Sequence, residues 1–448
     1  MFSKILVANR GEIAVRVIRA CKEMGIRTVA VYSEVDREAL HVSLADESIC
    51  VGPASSTLSY LNQTALLSAA RSTGCKAVHP GYGFLSENAD FADLCARHGL
   101  KFIGPSGSVI RRMGNKDEAK RTVAAAGVPV IPGRENIETL EDAQKAAEEV
   151  GYPLLIKARG GGGGKGIRRV SRPGELKGAF SAAAQEARSS FSDAGLYVEK
   201  LLEDVKHIEI QVLCDSHGNA VCFGERDCSM QRRHKKMLEE SPCALMAPAL
   251  RARMQKSAKQ AIKNIGYEGA GTLEFLMDKS GNYYFMEMNT RLQVEHPVTE
   301  FVSGMDLVKW QIRVAAGAAL PFSQKDVRVS GHAIECRINA EDPARAFMPT
   351  GGTVGILHIP GGPSVRFDSA LYQGYRVPLH YDSLLAKLIV HAPTREEAIR
   401  KMQAALCETV IEGVDHTALF QAELLSRPPF EDGSYTTSYL EGKTADAE

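Results

Sequence analysis

The chain has 448 residues, of which 44% are hydrophobic and 24% are charged, a balance typical of a globular protein of two to four domains. Its 54 Lys and Arg residues equal its 54 Asp and Glu residues, so the basic excess of most nucleic-acid-binding proteins is absent and no nucleic acid partner is expected. The sequence has no apolar run long enough to cross a bilayer and no apolar signal-peptide core at its start. The ten cysteines form no C-x-x-C pair. We therefore expect a cytoplasmic protein with reduced thiols and no membrane association.

The N-terminal segment alternates predicted strands and helices. The strand KILVAN is followed by GEIAVRVIRACKEMG, whose apolar residues recur at helical spacing up to Gly25. RTVAVYS, KAVHPG and KFIGPS are further predicted strands. This pattern predicts an open, mostly parallel, Rossmann-like α/β domain over residues 1–112.

A helix is predicted next, in GNKDEAKRTVAAAG. Asn115 is a suitable N-cap, and Glu118 follows three residues later, close to a capping box. Lys116 then lies in the first turn, where the helix dipole disfavours a cation. A bound anion would reverse that cost, whereas a solvated lysine is an equally good interpretation.

The stretch KARGGGGGKGIR contains five consecutive glycines inside a predicted α/β unit over about 131–203. It is not a P-loop, because Arg159 and Gly166 occupy positions that require Gly and Ser or Thr. The pattern G-x-G-x-x-G is met by Gly161, Gly163 and Gly166, but the strand-like IRRV follows where a dinucleotide site needs a helix. We expect a hairpin tip that presses backbone N–H groups onto phosphates, with a flexible linker as the alternative.

The remaining chain is predicted to be rich in strands. Residues 204–300 are interpreted as alternating strands. From about residue 330 the strands GHAIECRINA, GTVGILHI and LLAKLIVHA precede the helix TREEAIRKMQAALCETV.

Two strand-like runs flank DKSGN within residues 271–300. A two-residue loop at Ser280–Gly281 would place Glu274 opposite Glu287. Like charges in that position are destabilising, so a cation is needed, and Mg²⁺ held by carboxylates and phosphate fits. The period of two then predicts one polar face, which an ordinary solvated strand would also give. That face consists of Glu287, Asn289, Arg291, Gln293 and Glu295.

A basic run follows ERDCSM. It comprises Gln231, Arg232, Arg233, His234, Lys235 and Lys236. Such a run is usually a solvated face, but in a chain without net charge it can be a local anion site.

Six motifs together resemble the biotin carboxylase family, the ATP-grasp component of biotin-dependent carboxylases. They are ILVANRGEIAVRVIRA, HPGYGFLSEN, IKARGGGGGKGIR, ERDCSMQRRHKK, EMNTRLQVEHPVTE and GHAIECRINAEDP, and they span nearly the whole chain. The resemblance implies three domains: residues 1–112, an ATP-grasp domain over 113–325 with a glycine-tipped lid at about 131–203, and a strand-rich C-terminal domain over 326–448. It also implies a homodimer, a biotin carboxyl carrier protein and a separate carboxyltransferase subunit as partners.

The resemblance also assigns site residues. ATP contacts fall on Lys116, Lys157, Gly163, Gly164, Glu199, Lys200, Leu202, His207, Gln231, His234, Glu274, Leu276 and Glu287. Ligands of Mg²⁺ or Mn²⁺ fall on Glu274, Glu287 and Asn289. The bicarbonate pocket falls on Lys236, Arg291, Gln293 and Val294, with Glu295 as the base, and the biotin site falls on Tyr82 and Arg337.

The implied reaction is the ATP- and bicarbonate-dependent carboxylation of biotin at N1′ through carboxyphosphate, the first half-reaction of a carboxylase such as that of fatty acid biosynthesis. A carboxylate base near a guanidinium suits bicarbonate, which is a poor nucleophile until it is deprotonated. The final carboxyl acceptor is chosen by another subunit, so this sequence does not specify it.

Three other functions are considered. A carbamoyl phosphate synthetase also activates bicarbonate, but it carries two ATP-grasp copies and one is found here. A nicotinamide-dependent oxidoreductase would need a helix after the glycine run, and a non-catalytic carrier-binding subunit would not need the acidic and basic residues of 274–295. His416–Thr417 departs from the family's usual Thr-Asn pair, and we expect that difference to lie outside the site.

Overall fold

The computed structural model describes residues 1–158, 167–190 and 195–441. Gly163 and Gly164, and with them the predicted glycine tip, lie outside these ranges. The chain divides into two compact units. The first contains the described residues of Met1–Val128, Lys206–Phe275 and Glu287–Glu448, and the second contains those of Pro129–Val205 and Leu276–Met286. Within the described ranges, none of the helices has both the length and the hydropathy needed to cross a membrane.

The first unit begins with a five-stranded parallel sheet of order β3-β2-β1-β4-β5, with helices along its connections. This confirms the predicted open α/β architecture, in which the strand order reverses between β1 and β4. The elements are β1 (Lys4–Val7), α1 (Gly11–Glu23), β2 (Arg27–Ser33), α2 (Leu40–Leu44), β3 (Glu47–Gly52), α3 (Gln63–Ser72), β4 (Ala77–His79), α4 (Ala89–Arg97), β5 (Lys101–Phe102), α5 (Gly107–Gly114) and α6 (Lys116–Ala125).

The predicted helix cap at Asn115 is present. Its side chain accepts hydrogen bonds from the backbone N–H groups of Asp117 and Glu118, which satisfies two of the free donors at the start of α6. Lys116 is therefore the first helical residue, and its side chain is exposed.

The second unit is a four-stranded antiparallel sheet of order β6-β9-β7-β8 with two helices. Its elements are β6 (Gly133–Ile137), α7 (Leu140–Val150), β7 (Leu154–Ala158), β8 (Ile167–Val170), α8 (Leu176–Ser190) and β9 (Leu196–Lys200). The strands predicted on either side of the glycine run are thus present and antiparallel, with Lys157 opposite Ile167.

Residues 204–300 were predicted to contain alternating strands, and the structure has strands there together with helix α9 and the start of helix α10, which the prediction did not include. Helix α9 begins with Pro248 at its first turn and ends at Gly266, which has a left-handed conformation with φ of 67°. The elements are β10 (Lys206–Cys214), β11 (Ala220–Arg232), β12 (Lys235–Ser241), α9 (Pro248–Ile265), β13 (Gly269–Met277), β14 (Tyr283–Asn289), α10 (His296–Ser303) and α11 (Leu307–Ala315).

The turn between β13 and β14 differs from the predicted two-residue loop. The Asp278 N–H donates to the Asn282 carbonyl at 2.9 Å, and the Gly281 N–H donates to the Asp278 carbonyl at 3.0 Å. Three residues therefore lie between Asp278 and Asn282, and Gly281 supplies the positive φ, 78°, that such a turn needs. Strand β14 also ends at Asn289, so the predicted period of two does not continue to Glu295.

Three of the C-terminal strands join the central sheet, and the others form small two-stranded sheets. The order of this eight-stranded sheet is β14-β13-β10-β11-β12-β15-β22-β20, and β12 pairs antiparallel with β15. The elements are β15 (His332–Asn339), β16 (Glu341–Asp342), β17 (Met348–Pro349), β18 (Gly352–Thr353), β19 (Leu357–His358), β20 (Val365–Ser369), β21 (Arg376–Val377), β22 (Leu384–Ala392), α12 (Arg395–Glu408), β23 (Val410–Ile411), α13 (Ala418–Leu425) and α14 (Pro428–Glu431).

Strand β15 separates an apolar face from a polar one. Ile334, Cys336 and Ile338 are fully buried in the core that also contains residues of α12 and α13. Because side chains alternate along a strand, Glu335 and Arg337 lie on the opposite face. The apolar face fixes the position of the strand, and so fixes where Arg337 meets the residues of β12.

Candidate active site

The basic run Gln231–Lys236 is divided by a tight turn. Arg233 and His234 have positive φ angles of 49° and 61°, and Arg232 pairs with Lys235 across the hairpin of β11 and β12. Arg233, His234 and Lys235 are exposed, whereas Lys236 is mostly buried. The run is therefore not one continuous anion-binding surface, and only part of it faces the interior.

Lys236 lies at the centre of a buried cluster of three carboxylates. Its Nζ contacts Glu209 and lies 3.1 Å from Glu274 and 2.8 Å from Glu295. Burial opposes the charged form of Lys236, but the three carboxylates outweigh it and hold its pKa well above the ordinary value. Burial likewise opposes the charged forms of the glutamates, yet Lys236 keeps their pKa values below the ordinary one. The cluster is thus ionised at neutral pH.

A second cation, Arg226, completes this cluster, and sequence reasoning missed it. Arg226 is fully buried and donates to Glu209 at 2.9 and 3.0 Å. It also donates to the side-chain oxygen of Gln293, whose Nε2 donates to Glu274 at 2.6 Å. The orientation of the Gln293 amide is therefore fixed at both ends.

His207 is held in one tautomer by Gln231. The Gln231 Nε2 donates to the Cys228 carbonyl at 2.8 Å and lies 2.8 Å from the His207 Nδ1. Since the first bond fixes which end of the amide carries the hydrogens, Nδ1 accepts and the proton resides on Nε2, 2.8 Å from Glu274. Burial lowers the pKa of His207, and the Glu274 carboxylate raises it by more.

The predicted metal ligands Glu274, Glu287 and Asn289 supply the oxygen donors that Mg²⁺ prefers. Glu287 is half-buried, and its pKa is raised by burial and by the negative charge of Glu274, so the electrostatic conflict predicted for this pair is present. The Asn289 Nδ2 donates to Glu274 at 2.7 Å, which leaves its oxygen facing Arg291 at 3.0 Å. These groups suit a divalent cation, which would relieve the repulsion between the carboxylates.

Among the residues that the structure describes, two groups of donor atoms lie within 4.8 Å of one another, namely His207, Glu209 and Glu274, and Glu209, Cys228 and Glu295. Each contains carboxylates that are already paired with Lys236. We assign no metal to either group.

Arg291 is positioned by Glu87, which sequence reasoning also missed. The Arg291 Nε donates to Glu87 at 2.7 Å, and Glu87 accepts from the Thr290 N–H at 3.1 Å. Glu87 belongs to the segment HPGYGFLSEN, which was noted for its resemblance and not for a role. Burial opposes the charged form of Arg291, but Glu87 outweighs it and raises the pKa of the guanidinium.

Glu295 lies between two cations. Its Oε1 accepts from Lys236, and its Oε2 accepts from Arg337 at 2.9 Å. Arg337 also donates to Glu239 at 2.6 Å from its Nε. Sequence reasoning did not identify Glu239 as a site residue. Its position beside Arg337 follows from the pairing of β12 with β15.

The backbone of Arg337 is held by α13 and the residue before it. The Thr417 hydroxyl and the Gln421 amide donate to the Arg337 carbonyl at 3.2 and 3.0 Å, and Thr417 is fully buried. Thr417 therefore supports the main chain of a predicted site residue, and the expectation that His416–Thr417 lies outside the site itself stays a prediction.

Tyr82 and Val294 are connected through a buried lysine. The Tyr82 hydroxyl donates to Glu12, which lies 3.1 Å from the Nζ of Lys387. Lys387 donates to the Val294 carbonyl at 3.0 Å and is fully buried. Sequence reasoning missed Lys387, which could have been noticed as the isolated lysine in the apolar run LLAKLIVHA.

The other predicted ATP contacts are distributed between the two units. His234 and Lys116 are exposed in the first unit. In the second unit Lys157 pairs with Glu199, and Lys200 donates to the Tyr152 carbonyl at 2.7 Å. Leu202 and Leu276 are half-buried members of that unit.

In the first unit Lys236 and Arg337 contact Glu295, Lys236 links it to Glu209 and Glu274, and the other residues predicted to bind bicarbonate, metal and biotin belong to the same unit. A carboxylate between a lysine and a guanidinium stays ionised and can accept a proton from an anion that the same cations attract. Beside it, Glu274 contacts Lys236 and His207 and accepts hydrogen bonds from Asn289 and Gln293.

Three family models match successive parts of the chain. They are described as "Biotin carboxylase, N-terminal domain" over residues 1–110, "Carbamoyl-phosphate synthase L chain, ATP binding domain" over 115–323, and "Biotin carboxylase C-terminal domain" over 335–442. Together they follow the order of domains expected from the sequence motifs.

Whole-chain comparisons give the same result. Biotin carboxylase 1 of Bacillus subtilis is 53% identical over 443 residues, which is 98% of each protein. A solved structure of a biotin carboxylase complex with a β,γ-ATP ligand from Campylobacter jejuni is 48% identical, covers 99% of both chains and superposes with a TM-score of 0.93. The biotin carboxylase domain dimer of Hydrogenobacter thermophilus 2-oxoglutarate carboxylase, solved with MgADP, ADP and bicarbonate, is 49% identical, covers 99% of this chain and 98% of that chain, and has a TM-score of 0.91. The chain therefore belongs to the biotin carboxylase family.

Proposed function

We propose that this protein carboxylates biotin at N1′, using ATP and bicarbonate and passing through carboxyphosphate. The observation that carries the proposal is the placement of Glu295 between Lys236 and Arg337. Lys236 belongs to the central strands and Arg337 to a C-terminal strand, so a single carboxylate is in contact with groups suited to both halves of the reaction. The enzyme is an ATP-dependent ligase.

Bicarbonate is bound by Lys236, Arg291, Gln293 and Val294 in this proposal. The three polar side chains are donors whose orientations are fixed by Glu209, Glu87 and Arg226. Glu295 takes the proton of bicarbonate, for which it must be ionised, and Lys236 and Arg337 lower its pKa against the effect of burial. Fixed donors of this kind need little reorganisation when charge develops.

Glu274, Glu287 and Asn289 hold Mg²⁺ or Mn²⁺, which supplies charge neutralisation for the phosphates of ATP. Lys116, Lys157, Glu199, Lys200, Leu202, His207, Gln231, His234 and Leu276 complete the proposed ATP site, together with Gly163 and Gly164. His207 presents its Nε2 proton in a fixed direction because Gln231 occupies Nδ1. Residues of about 131–203 are proposed to act as a lid that excludes water from carboxyphosphate.

In the second half-reaction Arg337 and Tyr82 bind biotin. Carboxyphosphate yields CO₂ and phosphate, and the phosphate takes the N1′ proton. Arg337 then stabilises the negative charge that develops on the ureido oxygen, as a preorganised guanidinium can. Glu239 accepts from the guanidinium Nε and Glu295 accepts from Nη2, which fixes the orientation of the guanidinium.

The proposed partners follow from the chemistry. Biotin is presented on a biotin carboxyl carrier protein, and a carboxyltransferase subunit consumes the product. A homodimer is supported by the H. thermophilus domain, which was solved as a dimer. We also propose domain boundaries at 1–112, 113–325 and 326–448, and a cytoplasmic location, where ATP and bicarbonate are both supplied.

The test of this function is a reconstituted assay with ATP, Mg²⁺, bicarbonate and either free biotin or a biotinylated carrier. We expect ADP release that depends on bicarbonate, together with transfer of labelled bicarbonate carbon to biotin. Formation of carbamoyl phosphate from ammonia, without labelled biotin, would instead identify a carbamoyl phosphate synthetase activity. Labelled biotin in the absence of ATP would contradict the proposal.

Glu287→Gln tests the metal site. The substitution keeps the size of the side chain but removes one of the charges that the cation neutralises. We expect the Mg²⁺ concentration required for half-maximal ADP release to rise about tenfold or more, because a hard cation loses a carboxylate ligand. The melting temperature should stay the same or increase, because the repulsion between the half-buried Glu287 carboxylate and Glu274 is removed.

The matched control is Glu423→Gln, an exposed glutamate of α13. It should leave both the Mg²⁺ requirement and the melting temperature unchanged. An unchanged Mg²⁺ requirement in Glu287→Gln would show that Glu287 is not a metal ligand.

A further inference from the structure

Glu335 is a buried carboxyl group for which the proposed mechanism has no use. It lies on β15, two residues before Arg337, and has no exposed surface. Within the described part of the chain, neither of its carboxyl oxygens has a hydrogen-bond partner. An ionised carboxylate left in this state would be very costly.

The residue directly opposite Glu335 is another glutamate. Strand β12 pairs with β15 so that Glu239 faces Glu335, and side chains at such positions are about 4.5–5.5 Å apart at Cβ. Glu239 is also fully buried, and its Oε2 has no partner among the described residues, whereas Oε1 accepts from Arg337. Three carboxyl oxygens without partners therefore meet on one face of the sheet.

The nearby cations are already matched with other carboxylates. Arg337 contacts Glu239 and Glu295. Lys387, on the neighbouring strand, contacts Glu12 and the Val294 carbonyl. Neither cation reaches Glu335 within ion-pair distance in the described structure, so proton binding is the remaining way to neutralise it.

We propose that Glu239 and Glu335 hold one proton between them, carried mainly by Glu335. The uncharged Glu335 then leaves the guanidinium of Arg337 with more positive charge to offer to the ureido oxygen of biotin. Burial raises the pKa of Glu239 to about 7, and Arg337 opposes that rise, so Glu239 is the more acidic of the two groups and the proton resides mainly on Glu335. Two carboxyl groups at such a position cannot both be ionised without a large cost in free energy, and one shared proton removes the repulsion between them. Glu335 is thus a positioning residue that acts through Glu239 and Arg337.

The charged and titratable groups around Glu335 are consistent with this assignment. They are Arg337 on its own strand, Glu239 on β12, Lys387 on β22 and Glu295 before α10, and Lys236 acts on the neighbouring Glu239. Burial raises the pKa of Glu335 well above its ordinary value, and the charge of Glu239 adds to that rise. Burial also raises the pKa values of the Cys228 and Cys336 thiols, so these neighbours stay neutral.

The proton has a consequence for the reaction, which rests on the proposed function. If Glu335 were ionised, the guanidinium of Arg337 would face a third carboxylate and would offer less positive charge to the ureido oxygen of biotin. Loss of the proton at high pH should therefore weaken biotin carboxylation more than ADP release. The pair makes the coupling of the two half-reactions depend on pH.

The direct test is infrared spectroscopy of the full chain without substrates. At neutral pH the wild-type protein should show a carbonyl stretch from a protonated carboxyl group, and Glu335→Gln should lack it. Glu239→Gln should retain the band at neutral pH, because burial, the largest cause of the raised pKa of Glu335, is still present, although loss of the neighbouring negative charge makes the proton easier to lose. The control Glu397→Gln, at an exposed position on α12, should not change it.

A band that persists in Glu335→Gln would overturn the proposal, as would its absence from the wild-type spectrum. Because no substrate is present, this outcome is independent of whether the protein carboxylates biotin. If the infrared result is as expected but no carboxylation is found, the proposed function fails and the proton pair stands.

Stability provides a second measurement on folded protein. A carboxyl group whose pKa is raised in the folded state binds more protons there than in the unfolded chain, so stability falls as pH rises above about 4.3, the unfolded value. Glu335→Gln lacks this loss, and its melting temperature relative to wild type should rise between about pH 5 and about pH 8. A difference that does not change with pH would contradict the proposal.

The activity measurement compares carboxybiotin formed per ADP released at increasing pH. The wild-type ratio should fall at alkaline pH, and the Glu335→Gln ratio should stay constant over the same range. Equal decreases of this ratio in both proteins would show that the proton on Glu335 does not affect the positive charge that Arg337 offers to biotin.

Discussion

Replacing Lys236 with methionine is expected to lower the free energy of unfolding by about 3–5 kcal/mol at neutral pH and to abolish measurable carboxylation. The substitution removes the single ammonium that contacts Glu209, Glu274 and Glu295. Arg226 still compensates Glu209 and Arg337 still contacts Glu295, but Glu274 loses its ammonium partner and retains the contact with His207. This loss of stability arises because the buried carboxylates are left with one cation fewer. It does not measure the net contribution of the original ion pairs to the free energy of unfolding.

The dependence of this loss on pH identifies its cause. Lys236 holds the pKa values of these glutamates below the ordinary value, so their contribution to stability is present above the unfolded value, about 4.3, and is lost as pH falls through the folded values. The difference between wild type and Lys236→Met should therefore be large at neutral pH and shrink on acidification. Urea unfolding at a series of pH values measures it.

The neighbouring residue provides a matched control. Lys235 has the same side chain and lies on the same hairpin, but it is exposed. Lys235→Met should change the free energy of unfolding by no more than about 0.5 kcal/mol, as is usual for a surface substitution. Equal losses in the two variants would show that the buried cluster does not stabilise the fold.

These two lysines also show how far the sequence could predict the site. The run QRRHKK indicated a concentration of positive charge, and that is correct. Which lysine points inward depends on the turn at Arg233 and His234, where two non-glycine residues adopt positive φ. Neither residue type is among those that usually identify such a turn, so the division of the run could not be predicted.

The secondary structure was predictable where periodicity was strong. The parallel sheet of the first unit and the strands on either side of the glycine run were expected from alternation and from turn residues. Helix α9 was missed because half of its buried positions are small, namely Ser257, Ala258 and Ala261, and its apolar stripe is correspondingly weak. The turn before β14 differed by one residue, a difference that turn composition does not resolve.

The placement of the C-terminal strands could not be read from the sequence. That β15 pairs with β12 is a contact between residues about a hundred positions apart, and local patterns carry no information on such pairing. The contacts of Arg337 with Glu239 and Glu295 depend on it. The family resemblance identified Arg337 as a site residue, whereas the roles of Glu239, Arg226 and Glu87 became evident only from the geometry.

The contacts of Arg337 predict that its loss separates the two half-reactions. Arg337→Gln keeps hydrogen-bond donors for Glu239 but removes the charge that would stabilise the ureido oxygen. We expect carboxybiotin formation to fall by roughly 10²–10³, the usual effect of losing one preorganised donor to a developing negative charge. ADP release should fall far less, because Lys236 still contacts Glu295 at 2.8 Å and holds the base in place.

Glu295→Gln is the complementary variant. It removes the proposed base and should depress ADP release and carboxybiotin formation by similar factors, since neither product forms unless bicarbonate is deprotonated. Both quantities are measured on the same preparation, with Arg345→Gln as a control for loss of an exposed arginine in the C-terminal part of the chain. Equal losses of both activities in Arg337→Gln would place Arg337 in the bicarbonate step. Because Arg337 also contacts Glu295 at 2.9 Å, that outcome would mean that its main role is to hold the base and not to stabilise biotin. Normal ADP release by Glu295→Gln would exclude Glu295 as the base, whatever the behaviour of Arg337.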